Sequence, residues 1–192
     1  SFSEALKQNK SILELKIGGN NYGNGISHLI STIQYHKFTI LDLRDTNINP
    51  YANVLFSLLA TDTSIIELNL RKTCLEDDAM DSLSNALKVN SSLKILDLSC
   101  NKIKDKGFSR LASAFRHTTT LSTLIASDNL ITERCLRPIY TSLRLNASLT
   151  DFYVTLTSEA HLSFLFQVIE RFKSRNIHNL KQKESTLFSL PL

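Results

Sequence analysis

Leu93-Lys94-Ile95-Leu96-Asp97-Leu98-Ser99-Cys100-Asn101-Lys102-Ile103 is the stretch whose reading decides the fold. Leu96 and Leu98 flank Asp97, the alternation expected of a short strand that buries one face and exposes the other. Asn101 then falls in a bend. A short polar side chain there can bond backbone groups that a tight turn leaves unpaired.

The frame of that stretch, apolar-x-x-apolar-x-apolar, begins at Ile12, Phe38, Ile65, Leu93, Leu121 and Leu149, at intervals of 26, 27, 28, 28 and 28 residues. Its ninth position is Asn20, Thr46, Thr73, Asn101 or Asn129. After each turn the spacing becomes helical, as in Met80, Leu83, Leu87 and in Phe108, Leu111, Ala112, Phe115. Asn49-Pro50 predicts an N-cap followed by proline at the first helical position. Glu76, Asp77, Asp78, Asp105 and Glu133 gather at helix starts, and Lys7, Lys88, Arg116 and Arg144 at helix ends, as the helix dipole favours. A unit this small cannot bury its own apolar face, so the copies must stack into a solenoid. Parallel strands pack ~4.8 Å apart and helices roughly 8–10 Å apart, so the stack must curve with its sheet inside. The expectation is an α/β horseshoe with a parallel β-sheet on the concave face and α-helices on the convex face.

This pattern resembles the leucine-rich repeat family, and its outer helices and repeat length resemble the ribonuclease-inhibitor type. The family consensus, Leu-x-x-Leu-x-Leu-x-x-Asn-x-Ile, is matched in full by Leu93 to Ile103. Thr46 and Thr73 replace the usual Asn or Cys, Ala126 replaces a large apolar residue, and the sixth copy loses the motif after Val154. The resemblance implies a fold far more than an activity, since members include inhibitors, immune sensors, actin-capping modules, GTPase activators and bacterial effectors.

The repeats are expected over residues 1–157, a closing helix over 158–175, and a basic and apolar tail over 176–192. Ile177 and Leu180 lie 28 residues after Leu149 and Phe152, which would suit a degenerate seventh copy, although Gln182 would occupy its inner position. The chain opens inside a repeat helix, which predicts a piece of a longer protein with an uncapped first repeat, its core-facing Leu6 and Ile12 available for self-association. Cys74, Cys100 and Cys135 lack Cys-x-x-Cys spacing and read as reduced thiols in a cytoplasmic protein. Asn9, Asn90 and Asn146 sit in Asn-x-Ser sequons, but all three share one repeat position, and a turn after each helix explains them without glycans. No apolar run approaches the ~20 residues of a membrane span.

Motifs of catalysis are missing from the sequence. The histidines His28, His36, His117, His161 and His178 show no ligand spacing. Gly18 to Gly25 is glycine-rich but no Gly-Lys-Ser/Thr follows it, and no nucleophile motif occurs. The expectation is no enzyme, no metal and no cofactor. The net charge of +4 is spread along helix ends among acids, which argues against nucleic acid.

What remains is the concave surface. Its central row reads Lys16, Asp42, Asn69, Asp97, Ile125 and Tyr153. Arg44, Arg71 and Lys72 form a basic knot among Asp42, Asp45, Asp97 and Asp128, while Ile95, Ile125 and Tyr153 offer apolar area toward the C-terminal side. Arginine, tyrosine and an apolar surround have the composition of a protein-binding hot spot. The same charges would also suit pairing across strands, Arg44 with Asp97 or Asp45 with Arg71. The first reading is a module that binds a protein partner on this face. The alternatives are a regulator of a GTPase or other enzyme, as the resemblance allows, and a structural or autoinhibitory segment of a larger sensor, scaffold or effector.

Overall fold

A computed structural model describes residues 2–9, 11–20, 22, 23, 25–157 and 162–188. Six three-residue strands, β1 (Glu14–Lys16), β2 (Ile40–Asp42), β3 (Glu67–Asn69), β4 (Ile95–Asp97), β5 (Thr123–Ile125) and β6 (Asp151–Tyr153), form one parallel sheet in sequence order. The middle residues Leu15, Leu41, Leu68, Leu96, Leu124 and Phe152 stand in register across it, all facing the core. The helices are α1 (Phe2–Gln8), α2 (Gly25–Ile33), α3 (Ala52–Thr61), α4 (Met80–Val89), α5 (Asp105–Phe115), α6 (Leu136–Leu145) and α7 (Leu162–Phe188). The expected solenoid is therefore the observed architecture. Between sheet and helices lies one continuous apolar core, whose C-terminal half is organised by Phe108, Phe115 and Phe152, edge to face at centroid distances of 5.8–6.5 Å.

Three rows of polar side chains tie one repeat to the next. In the first, the turn asparagines reach backward. Asn101 Nδ2 donates to Leu98 O and to Leu70 O of the preceding repeat, while its Oδ1 accepts from Thr73 N and Leu75 N. Asn129 repeats this toward Leu98 O and Ile103 N. The second row follows each helix. Asn90 Nδ2 donates to Leu59 O and its Oδ1 accepts from Leu93 N, and Asn146 likewise bonds Phe115 O and Leu149 N. Both are buried. These sequon asparagines are thus committed to the turn, as their shared repeat position predicts.

The third row corrects one sequence expectation and extends another. Asn49 does not cap its own helix: Ile48 occupies the cap position of the 3₁₀ turn Asn49–Tyr51, and Asn49 Oδ1 accepts instead from Glu76 N of the next repeat. Asp77 and Asp105, read as acids serving the dipole, accept from Lys104 N and Thr132 N in the same manner. An orphan amide at the start of the next turn is a nearer and more demanding partner than a diffuse helix dipole.

A fourth row is conformational. Gly19, Asp45, Lys72, Cys100 and Asp128, the eighth residues of successive repeats, all adopt left-handed backbone, with φ between 55° and 73°. That twist aims the amides of Gly19, Asp45, Lys72 and Cys100 at the carbonyls of Arg44, Arg71, Ser99 and Ser127 one repeat on, at 2.8–2.9 Å.

At the ends the structure differs from the sequence reading. Leu6 is 2% exposed and belongs to the core, with Ile12 packed against it, so the first repeat does not present them to a second copy. The C-terminal helix does not stop at 175. It runs on through 188, and Ile177 and Leu180 are helical, so no seventh strand forms there. The cause is anchoring: Leu165, Val168, Phe172 and Asn176 recur on one helical face and are buried, and Asn176 Nδ2 donates to Leu149 O at 2.7 Å. Arg175 clamps the end of α6 through Leu143 O, Arg144 O and Asn146 O. Residues 158–161 and 189–192, parts of the expected closing helix and tail, lie outside the described residues.

Candidate functional site

The outward residues of β1–β6 and the turns after them line the concave face, and there the expected site residues divide into two groups. Asp42 and Asp97 are occupied structurally. Asp42 Oδ1 accepts from Arg44 N, Asn69 Oδ1 from Arg71 N, and Asp97 Oδ1 from both Ser99 N and Ser99 Oγ. The central acidic row thus closes its own turns. A sequence signal existed for this, Asp or Asn two residues before a turn amide in three successive repeats.

The basic knot is held locally. Arg44 Nε pairs with Asp42 at 3.1 Å and Lys72 Nζ with Asp45 at 2.7 Å, in place of the expected Arg44–Asp97 and Asp45–Arg71 pairs. Arg44 and Asp97 lie two strands apart, and each is engaged nearer by, Arg44 on Asp42 and Asp97 on Ser99. The Lys72 ammonium, by its hydrogen bond, holds the Asp45 carboxyl below its usual range and is itself raised by that bond. Arg71 is exposed and turns to Ser99 Oγ at 3.2 Å. The exposed Lys72–Asp45 pair contributes little to stability and can be exchanged for a partner's groups, whereas Asp42 is buried and holds Arg44 more firmly. Asp128 accepts a weak bond from Cys100 Sγ at 3.6 Å, and burial pushes the Cys100 thiol up. Cys135 lies deeper, bonded to Asp105, its thiol pushed up to about 12 mainly by burial.

Toward the C-terminal end the face becomes apolar. Ile125 and Tyr153 are register partners on β5 and β6, and Tyr153 is 50% exposed. Beside Tyr153 the sheet edge and α7 diverge, leaving a cleft of about 360 Å³ lined by Phe152, Val154, Leu165, Phe166 and Ile169. Lys173, paired with Asp151 at 3.3 Å, stands at its mouth. The repeat pattern places Tyr153 and Ile125 side by side on this face but gives no sign of the cleft, because nothing in the repeat period says how far the closing helix stands from the last strand. Among the described residues no three His, Cys, Asp or Glu side chains converge where a metal ion could sit. No described helix is long and apolar enough to cross a membrane.

Comparison with known proteins agrees with this architecture. A family model described as Leucine Rich repeat matches residues 89–112, the span around the full consensus copy. Among solved structures, leiomodin-1 actin-binding site 2 superposes with a TM-score of 0.69 at 18% identity, covering 96% of this chain and 92% of that one. The tropomodulin C-terminal domain of Caenorhabditis elegans superposes with a TM-score of 0.64 at 13% identity, covering 97% and 99%. A search of curated proteins found no match. With six in-register strands, their backing helices and the family match at the fourth copy, the chain has the fold of a leucine-rich-repeat solenoid.

Proposed function

We propose that this domain is a non-catalytic protein-interaction module that seats its partner along the concave sheet, with the β6–α7 cleft as its anchor point. The observation that carries the reading is Tyr153, half exposed beside Ile125 and opening onto an apolar cleft large enough for one or two partner side chains. An aromatic anchor beside a desolvated pocket is where interfaces concentrate their energy. Arg71 and Lys72, in exposed and exchangeable contacts, and Arg44, held by the buried Asp42, supply orientation and encounter rate on the same face. The chain's three free cysteines and its committed sequon asparagines support an intracellular setting.

The solved domain from leiomodin-1 is named for binding actin, so actin is the first partner to try. Co-sedimentation with filamentous actin and a pyrene assay with monomeric actin should show binding that Tyr153→Ala weakens at least about tenfold, a loss of hot-spot size. Arg71→Glu should slow association and flatten its salt dependence. Actin binding that neither substitution changes would remove the concave face from the reading, and no binding would remove actin.

A further inference from the structure

On the convex side, the same pair of repeat positions recurs at three successive helix gaps. Between α3 and α4 it is Asn53 and Ser82, hydrogen-bonded at 2.7 Å. Between α4 and α5 it is Asp81 and Arg110, an ion pair at 2.7 Å, reinforced by Ser84 Oγ donating to Arg110 O. Between α5 and α6 the positions hold Ser109 and Pro138. Proline has no side-chain donor or acceptor, and Ala112 replaces Ser84 at the second tie, so this gap cannot be laced in the same way. It opens into a groove of about 360 Å³.

The groove has a defined chemistry. Pro138 and Leu145, the latter 53% exposed, give it an apolar floor shared with Ser109, Ser113, Thr141 and Ser142, and Arg137 and Arg116 border it. Among the described residues neither arginine has a carboxylate within 4.0 Å, and Arg116 donates only to His117 Nε2. Arg137 on α6 lies one repeat on from Ser109, and Arg116 lies two helical turns along α5 from Ser109, so the two cations stand on opposite walls of the groove, offset by about 10 Å along its axis. We propose that this groove docks an acidic amphipathic helix of a partner protein, with apolar residues on the Pro138–Leu145 floor and carboxylates two turns apart on Arg137 and Arg116. Carboxylates at i and i+7 of a helix have that spacing. A nucleic acid, which brings a phosphate at every nucleotide, would want a continuous cationic track instead.

A fluorescein-labelled amphipathic helical peptide, with leucines on one face and glutamates at i and i+7, serves as the probe in fluorescence anisotropy. The wild-type chain should bind it, and bind its glutamine counterpart at least about tenfold more weakly. Arg116→Glu with Arg137→Glu should abolish binding, and a lysine version of the peptide should recover it. Ser109→Asp with Pro138→Arg installs the ion pair seen at Asp81–Arg110 and should close the groove without touching either arginine. Tyr153→Ala should leave this binding unchanged, which separates it from the concave site. Equal binding of the glutamate and glutamine peptides, persistence of binding in either double variant, or a preference for an oligothymidylate over the peptide would overturn the proposal.

Discussion

The turn after β4 and the turn after β2 occupy the same place in the repeat and are held by different chemistry. Asn101 satisfies carbonyls of two repeats and accepts from two buried amides, Thr73 N and Leu75 N. Thr46, its counterpart, makes one long bond to Arg44 O at 3.4 Å. Ile48 N instead finds a backbone carbonyl, Thr73 O, at 3.2 Å. A side chain that spans repeats makes each unit a condition for its neighbour, whereas one that serves only its own turn leaves the coupling to the core. The cohesion of this solenoid is therefore stronger from β3 onward and thins toward the N-terminal repeats.

The strongest way to break that contrast is Asn101→Ala, which strands two buried donors and two carbonyls. Urea denaturation should show a loss of about 4 kcal/mol. Gly107→Ala attacks the same middle region through packing. A Cβ at Gly107 would meet Asp77, its Cα at 2.7 Å, the residue that clamps Lys104 N, so a loss of about 2 kcal/mol is expected in the same assay. Thr46→Ala should cost under about 1 kcal/mol. Comparable losses at positions 46 and 101 would mean that the ladder is uniform and the contrast false.

The pH dependence sharpens the comparison with a smaller effect. Burial pushes the Asp105 carboxyl up, but bonds from the Thr132 hydroxyl and amide and from Cys135 outweigh it and hold the group below its usual range. A carboxyl lowered in the folded state stabilises fully above its unfolded value and loses that contribution as pH falls through the folded one. Stability should therefore decline below about pH 4, and Asp105→Asn should flatten part of that decline in denaturation curves taken across the acid range. An unchanged slope would place the acid sensitivity elsewhere.

The strand-turn-helix unit and the parallel register are legible in the sequence because both follow from apolar spacing repeated at a fixed period. Which polar residue bonds which amide is legible only where the pattern repeats, as with Asn101 and Asn129. Asn49, Asp77 and Asp105 carried a usable signal too, since they share one repeat position. It was masked by the local reading as helix-start residues. Strand alternation puts the concave rows on one side of the sheet but does not reveal that Asp42 and Asp97 serve their own turns. The cleft beside Tyr153 and the groove at Pro138 depend on distances between elements. A linear pattern constrains such distances only when a substitution breaks a tie, as Pro138 does.

The left-handed row has a consequence for engineering this surface. Glycine would fill Asp45, Lys72, Cys100 and Asp128 with less backbone strain than the residues found there, by about 1 kcal/mol at the least tolerant sites. Those four side chains also stand in the turns that directly follow β2 to β5, beside the concave strands. Stepping through them with glycine inverts the usual coupling between damage and fragility: each variant should melt higher than its parent while presenting a blanker edge. Any binding lost along that series would then be owed to the missing side chain and not to unfolding.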